Sequence, residues 1–310
     1  MALNTDALSH LSPPRLTLGP VQFNWSAERL RDFYFRVADE ADVDTVCIGE
    51  NVCSKRSSFF APLVPEVIER LAAAGKEVVL SSLALIMTDR EIEEARGLAA
   101  TEGWLVEAND VSVAAMLAGK RFAVGPMVNV YNEGTLATLE AMGAIRVCLP
   151  AELSAPVIAT IVAAAKAEIE VQAFGRLPLA ISARCYTARA RNLAKDGCQY
   201  VCADDPDGMA VETLADEPFL CVNGTQTMSY HYMDALSDLA ALRAQGVRRF
   251  RLWPQDVDMV AVARLFRATL AGAVNPAEAE VQLADLCPGK EFANGYIHGR
   301  QGHLMIEGDD

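Results

Sequence analysis

Three cysteines, Cys185, Cys198 and Cys202, stand in the order C-x12-C-x3-C, and a fourth, Cys53, lies far upstream in Glu-Asn-Val-Cys-Ser-Lys-Arg. Four thiolates are a common ligand set for an iron–sulfur cluster. Structural zinc is the competing reading, but its sites usually take two close C-x2-4-C pairs. Here only Cys198 and Cys202 form such a pair, which favours a cluster. Ordinary buried thiols are the third reading, since free Cys is among the most buried residue types. That reading suits Cys47, Cys148 and Cys221, which sit inside apolar runs, whereas Cys287 in the tail carries no reading. The other four stand in polar segments containing glycine or arginine, where a structural thiol has little reason to be. Lys55 and Arg56 flank Cys53, and Arg184, Arg189 and Arg191 surround Cys185. Such cations would balance the negative charge of a thiolate-held cluster, or they form a solvated arginine face. No His-Glu-x-x-His helix, phosphate-binding glycine loop or Gly-x-Ser-x-Gly elbow accompanies them.

The elements that must position these thiols alternate along the chain. Short apolar runs at 16–21, 45–49, 77–81, 104–107, 121–124, 145–149, 170–174 and 249–253 read as strands. Between them, helices are expected at 26–41, 61–74, 88–101, 110–117, 133–142 and 154–167, then at 234–245 and 257–270. Ser26 is placed as an N-cap, Thr88 with Glu91 forms a capping box, and Gly75 ends its helix. A hairpin of 219–222 and 225–229 turns at Asn223-Gly224. Eight strand–helix units over about 250 residues predict a (β/α)8 TIM-like barrel, with a doubly wound open sheet as the alternative. The cysteine segment is inserted after the seventh strand. The whole chain, 1–310, is expected to be one barrel domain with its core at 16–272 and an irregular polar tail at 273–310. In a barrel, the loops after the strands converge on one face, so Cys53 and Cys185 would become neighbours. Cys198 and Cys202, four apart, are expected to share one face of a helical turn.

Composition narrows the setting. The chain has 310 residues, 52% of them hydrophobic and 22% charged, enough for a sizeable core. A net charge of -14 argues against nucleic-acid binding, which uses clustered Lys and Arg. No run approaches the roughly 18 apolar residues of a membrane span. The first residues lack the basic and apolar pattern of an export signal. Eight cysteines in such a chain favour thiol or metal chemistry over disulfides and point to a reducing cytoplasm.

The segments Glu-Asn-Val-Cys-Ser-Lys-Arg, Ser-Ala-Arg-Cys-Tyr-Thr-Ala-Arg and Asp-Gly-Cys-x3-Cys resemble the UbiU/UbiV-type branch of the collagenase-like peptidase family, over nearly the whole chain. The resemblance implies one 4Fe–4S cluster held by Cys53, Cys185, Cys198 and Cys202. It implies a heterodimer with a UbiU-like protein and help from a small lipid-carrier protein. It further implies oxygen-independent ring hydroxylation of a prenylated phenolic precursor in anaerobic ubiquinone (coenzyme Q) biosynthesis, with prephenate as oxygen donor. A non-catalytic electron-transfer or scaffold subunit is the alternative. Proteolysis, the activity in the wider family's name, needs a thiolate beside an imidazole. Of His10, His231, His298 and His303, only His231 falls near the expected rim. Asn129, Tyr131, Asn132 and Trp253, at the expected loop face, are candidates for substrate or partner contact, or else serve as loop and helix-cap residues.

Overall fold

The computed structural model describes residues 13–307. Eight strands run parallel: β1 (Arg15–Leu18), β2 (Thr45–Ile48), β3 (Glu77–Ser81), β4 (Leu105–Ala108), β5 (Phe122–Val124), β6 (Ala144–Cys148), β7 (Glu168–Ile181) and, after three antiparallel strands, β11 (Arg249–Leu252). Each pairs with the next, and β11 pairs in parallel with both β7 and β1, so the sheet closes. This is the expected barrel, and closure excludes the open sheet.

Helices α1 (Ala27–Glu40), α2 (Ser54–Phe60), α3 (Val64–Ala73), α4 (Asp89–Ala100), α5 (Val111–Met116), α6 (Glu133–Met142) and α7 (Ala155–Ala164) connect the strands. Their starts are chemical. Ser26 Oγ accepts from Arg29 N at 3.2 Å, and Thr88 and Glu91 form the reciprocal box. Asn132 Oδ1 accepts from Thr135 N at 2.9 Å. Outward strand residues such as Leu16, Val46, Val106, Val147 and Phe250 are buried in the core against these helices.

The barrel interior is ionic. Side chains alternate along a strand, and the inward positions carry charge where barrels ordinarily carry branched aliphatics. Near the strand starts, Arg249 Nη1 donates to Thr45 Oγ1 (2.9 Å) and its Nε to Glu168 (2.8 Å), while Arg146 Nη2 binds Glu77 at 3.1 Å. One layer up, Arg251 bonds both Glu107 and Glu170, and Thr17 donates to Glu170 at 2.7 Å. Burial alone would raise the Glu170 carboxyl, but Arg251 and Arg146 outweigh it and hold it below its ordinary value. At the top, Trp253 Nε1 donates to Gln172 Oε1 at 2.7 Å.

Beyond Phe174, β7 leaves the barrel, far longer than the strand expected at 170–174. Its second half pairs antiparallel with β10 (Gln226–Asp234), which continues to β9 (Pro218–Asn223) and β8 (Met209–Glu212). The exit is at Gly175, φ +95°, where a Cβ would crowd the Trp253 carbonyl and Gln255. The predicted hairpin is there with longer arms, and β8 was not anticipated. The helix expected at 234–245 is shorter, α9 (Leu239–Ala244), because Asp234 still belongs to β10. The tail is not irregular throughout. After α10 (Met259–Leu270), it forms α11 (Pro276–Leu286) and a short strand, β12 (Phe292–Ala293), that pairs with β10. Asn275 caps α11 and Pro276 opens it, a legible start signal that the glycine-rich remainder obscured.

Candidate functional site

Cys53 follows β2 and stands at the residue before the first turn of α2, without a side-chain hydrogen bond to that helix. Glu50 folds that loop: its Oε1 accepts from Val52 N (2.7 Å), Cys53 N (2.9 Å) and Arg56 Nη2 (2.8 Å). Cys185 begins α8 (Tyr186–Ala190) just after β7, and its Sγ accepts from Ala188 N at 3.4 Å. Cys198 ends a 3₁₀ turn (Lys195–Gly197) and Cys202 lies in a second (Val201–Asp204). Between them Gln199 and Tyr200 have φ of 50° and 57°. The pair therefore does not share one helical turn, because the left-handed residues reverse the chain between them.

All four thiols nevertheless border one small cavity of about 20 Å³, together with Arg56 and Lys195. The donor set suits a cluster, in which each thiolate takes a separate iron corner. Among the described residues, no three His, Cys, Asp or Glu side chains converge to hold a single metal ion. Arg56 is 4% exposed and is the principal cation here. Burial raises the Cys53 and Cys202 thiols, and Arg56 opposes that rise at both. Asn24 Nδ2 also donates to Cys202 Sγ at 3.4 Å. Lys55 lines the cavity and reaches Lys195 O at 2.9 Å. Arg184, Arg189 and Arg191 are exposed and none lines the cavity; Arg191 pairs with Asp204 and Asp205 instead.

The remaining thiols sit elsewhere. Cys47 and Cys148 are buried within the barrel strands, Cys221 lies in β9, and Cys287 ends α11. Of the proposed contact residues, Asn129 ends a 3₁₀ turn at φ 61°, Asn132 caps α6, and Tyr131 donates to Glu152 at 3.2 Å. Trp253 is fully buried as the roof of the barrel interior, so it does not face a ligand at the surface.

Several residues at the site carried no signal in the chain. Asn24, Lys195 and Asn223 act through contacts with segments remote in sequence, whereas Glu50 acts within its own loop. Asn223 accepts from Arg56 Nη1 (3.3 Å) and donates to the Gln22 carbonyl (2.6 Å). Gln22, Asn51 and Gln226 are buried with side-chain amide atoms that have no protein partner.

Over residues 26–307 the chain matches the model of peptidase family U32. It belongs to that family. Among solved structures, it is similar to the U32 peptidase Mk0906, at 10% identity and TM-score 0.44, covering 80% of this chain and 95% of that one. It is also similar to the spore cortex-lytic enzyme SleL of Bacillus megaterium, at 11% identity and TM-score 0.39, covering 84% and 75%. A GH18 chitinase from Cycas revoluta follows at 10% and 0.32, covering 86% and 99%.

The U32 name raises the question of a thiolate–imidazole pair. His231 Nε2 pairs with Glu291 at 2.8 Å, His298 with Asp238 at 3.0 Å, and His303 packs near Phe219. None lines the cysteine cavity, and His10 lies outside the described residues. No described helix is long and apolar enough to cross a membrane.

Proposed function

We propose that Cys53, Cys185, Cys198 and Cys202 hold one 4Fe–4S cluster. We propose further that the chain works with a UbiU-like partner in oxygen-independent ring hydroxylation of a prenylated phenolic precursor during ubiquinone biosynthesis. One observation carries the reading: four thiols from three stretches of the chain border one cavity that has a buried arginine in its wall. When bound, the cluster would supply one-electron chemistry. The protein's part is to hold the four thiols apart, place Arg56 where it lowers the cost of thiolate charge, and donate N–H groups to sulfur from Asn24 and Ala188. The placement of the described histidines away from these thiols favours this reading over proteolysis.

A second reading keeps the cluster and removes the catalysis: an electron-transfer or scaffold subunit for the companion chain. Anoxic hydroxylation assays with each chain alone and with both together separate the two, since activity from this chain alone would overturn partner dependence.

The cluster itself is tested by anaerobic purification with iron and sulfide analysis. About four irons and matching sulfide per chain are expected, lost in Cys198→Ala and retained in Cys148→Ala. One zinc per chain without sulfide overturns the assignment.

A further inference from the structure

Next to the cysteine cavity lies a second, apolar pocket of about 170 Å³, between the loop after β1, α1 and α2. Its walls are aromatic: Phe23, Trp25, Tyr34, Phe59 and Phe60. They are held as packed pairs, Phe23 stacked with Trp25 at 6.2 Å between centroids and Tyr34 with Phe60 at 5.9 Å. Larger cavities exist, about 510 Å³ at the strand-start end of the barrel and about 570 Å³ against α9 and α10. Neither touches the cysteines, and in barrels of this kind chemistry sits at the strand-end face.

Volume, lining and one orphaned donor together define the occupant. An engineered apolar cavity of about 150 Å³ takes up benzene, so 170 Å³ suits a single ring. Aromatic walls favour an aromatic guest through edge-to-face and offset contacts. Arg56 lines both this pocket and the cysteine cavity, and its buried Nε–H has no acceptor. A buried donor without a partner is costly, and an oxygen on the ring would satisfy it. The Glu50 carboxylate lines the same end and accepts a donated hydroxyl proton as readily as it accepts the Arg56 N–H.

The pocket is also wired to the cysteine loop. Asn24 bonds Cys202, Trp25 Nε1 donates to the Pro206 carbonyl at 2.8 Å, and Phe59 packs edge-on against Tyr200 at 4.7 Å. Three walls of one pocket thus touch the segment that carries two of the four thiols.

We infer that this pocket binds one oxygen-bearing aromatic ring, a phenol, with its oxygen at Arg56 and Glu50 and its edge toward the cysteine cavity. That the ring is the substrate's own rests on the function proposed above; that the pocket accepts a phenol does not.

Calorimetric titration of the anaerobically purified chain with phenol, and with toluene for comparison, tests this. One saturable phenol site per chain is expected, with toluene about tenfold weaker for want of an acceptor at Arg56. Ala61 stands exposed on the rim, and Ala61→Trp should weaken phenol by about tenfold or more with an unchanged circular dichroism spectrum. Ser57→Phe, inside the pocket, serves as the second occluding variant should Ala61→Trp misfold. Absence of saturable phenol binding, equal affinity for toluene, or undiminished binding in the folded occluded variants overturns the inference. Repeating the titration on Cys198→Ser, together with iron analysis, separates the two claims. Phenol binding in a chain that never carries iron overturns the cluster while supporting the pocket; iron without phenol binding does the reverse.

Discussion

Asn24 donates its amide N–H to the Cys202 sulfur at 3.4 Å, across 178 residues of sequence. The bond ties the loop after β1 to the second 3₁₀ turn of the cysteine segment, and the Trp25–Pro206 bond runs beside it. Removing it in Asn24→Ala should cost about 1 kcal/mol of stability. The sharper readout is local: amide hydrogen exchange should quicken at 198–206 and stay unchanged in α4. Equal protection of 198–206 in both proteins would show that the tie is not what orders the segment.

Asp234 ends β10, is 2% exposed, and accepts from Leu236 N at 2.9 Å. Burial pushes its carboxyl up to about 7, helped by Glu280 and Asp238 nearby. Between its ordinary value near 3.8 and this one, the folded chain keeps a proton that the unfolded chain has lost. Stability therefore falls as pH rises through that window, and the penalty is complete above pH 7, amounting to roughly 4 kcal/mol. Asp234→Asn keeps an acceptor for Leu236 N and should be the more stable protein at pH 8, the advantage fading towards pH 4. Urea midpoints across that range check the sign.

Arg251 stands between Glu107 and Glu170 in the closed interior, all three 1% exposed or less. In Arg251→Met both carboxylates lose their shared cation, and a loss of about 3–5 kcal/mol is expected. Adding Glu107→Gln and Glu170→Gln should recover part of it, because the uncompensated charge, more than the missing contacts, carries the cost. Denaturant unfolding of the single and triple variants measures both effects. A triple variant no better than the single would mean that packing, not charge, dominates.

Gly49 has φ +145° at the end of β2, and a Cβ there would collide with the Ser81 carbonyl oxygen on the neighbouring strand. Gly75 has φ +79° with open space around it. Gly75→Ala should cost about 1 kcal/mol from backbone strain alone. Gly49→Ala adds overpacking of a further 1–3 kcal/mol or so, and it displaces Glu50, which shapes the Cys53 loop. Thermal unfolding of the two variants should rank them in that order.

The barrel rhythm was legible because it is local. Helix caps such as Ser26 and the Thr88–Glu91 box act over three residues, and strand runs declare themselves by period and length. The strand Glu77–Ser81 and the helix Glu133–Met142 match the expected limits. Misreadings came where a neighbour outside the window decides the outcome. Glu170 to Phe174 reads as a complete strand, yet β10 offers a second ladder and β7 runs on to Ile181. The run Thr45–Ile48 reads as apolar, yet its alternate residues face an ionic interior supplied by strands far away.

The four cysteines divide the same way. Their identity, their spacing and their placement in polar segments after strands are properties of the chain, and these were enough to single them out from the four others. That all four border one cavity was decided by closure of the barrel and by the β7–β10 extension, which carries Cys185, Cys198 and Cys202 back over the end of β2. So was the choice of Arg56 over Arg184, Arg189 and Arg191 as the buried cation. Flanking charge can be read from a sequence, but burial depends on which remote segments come to cover it, and only the assembled chain sets that.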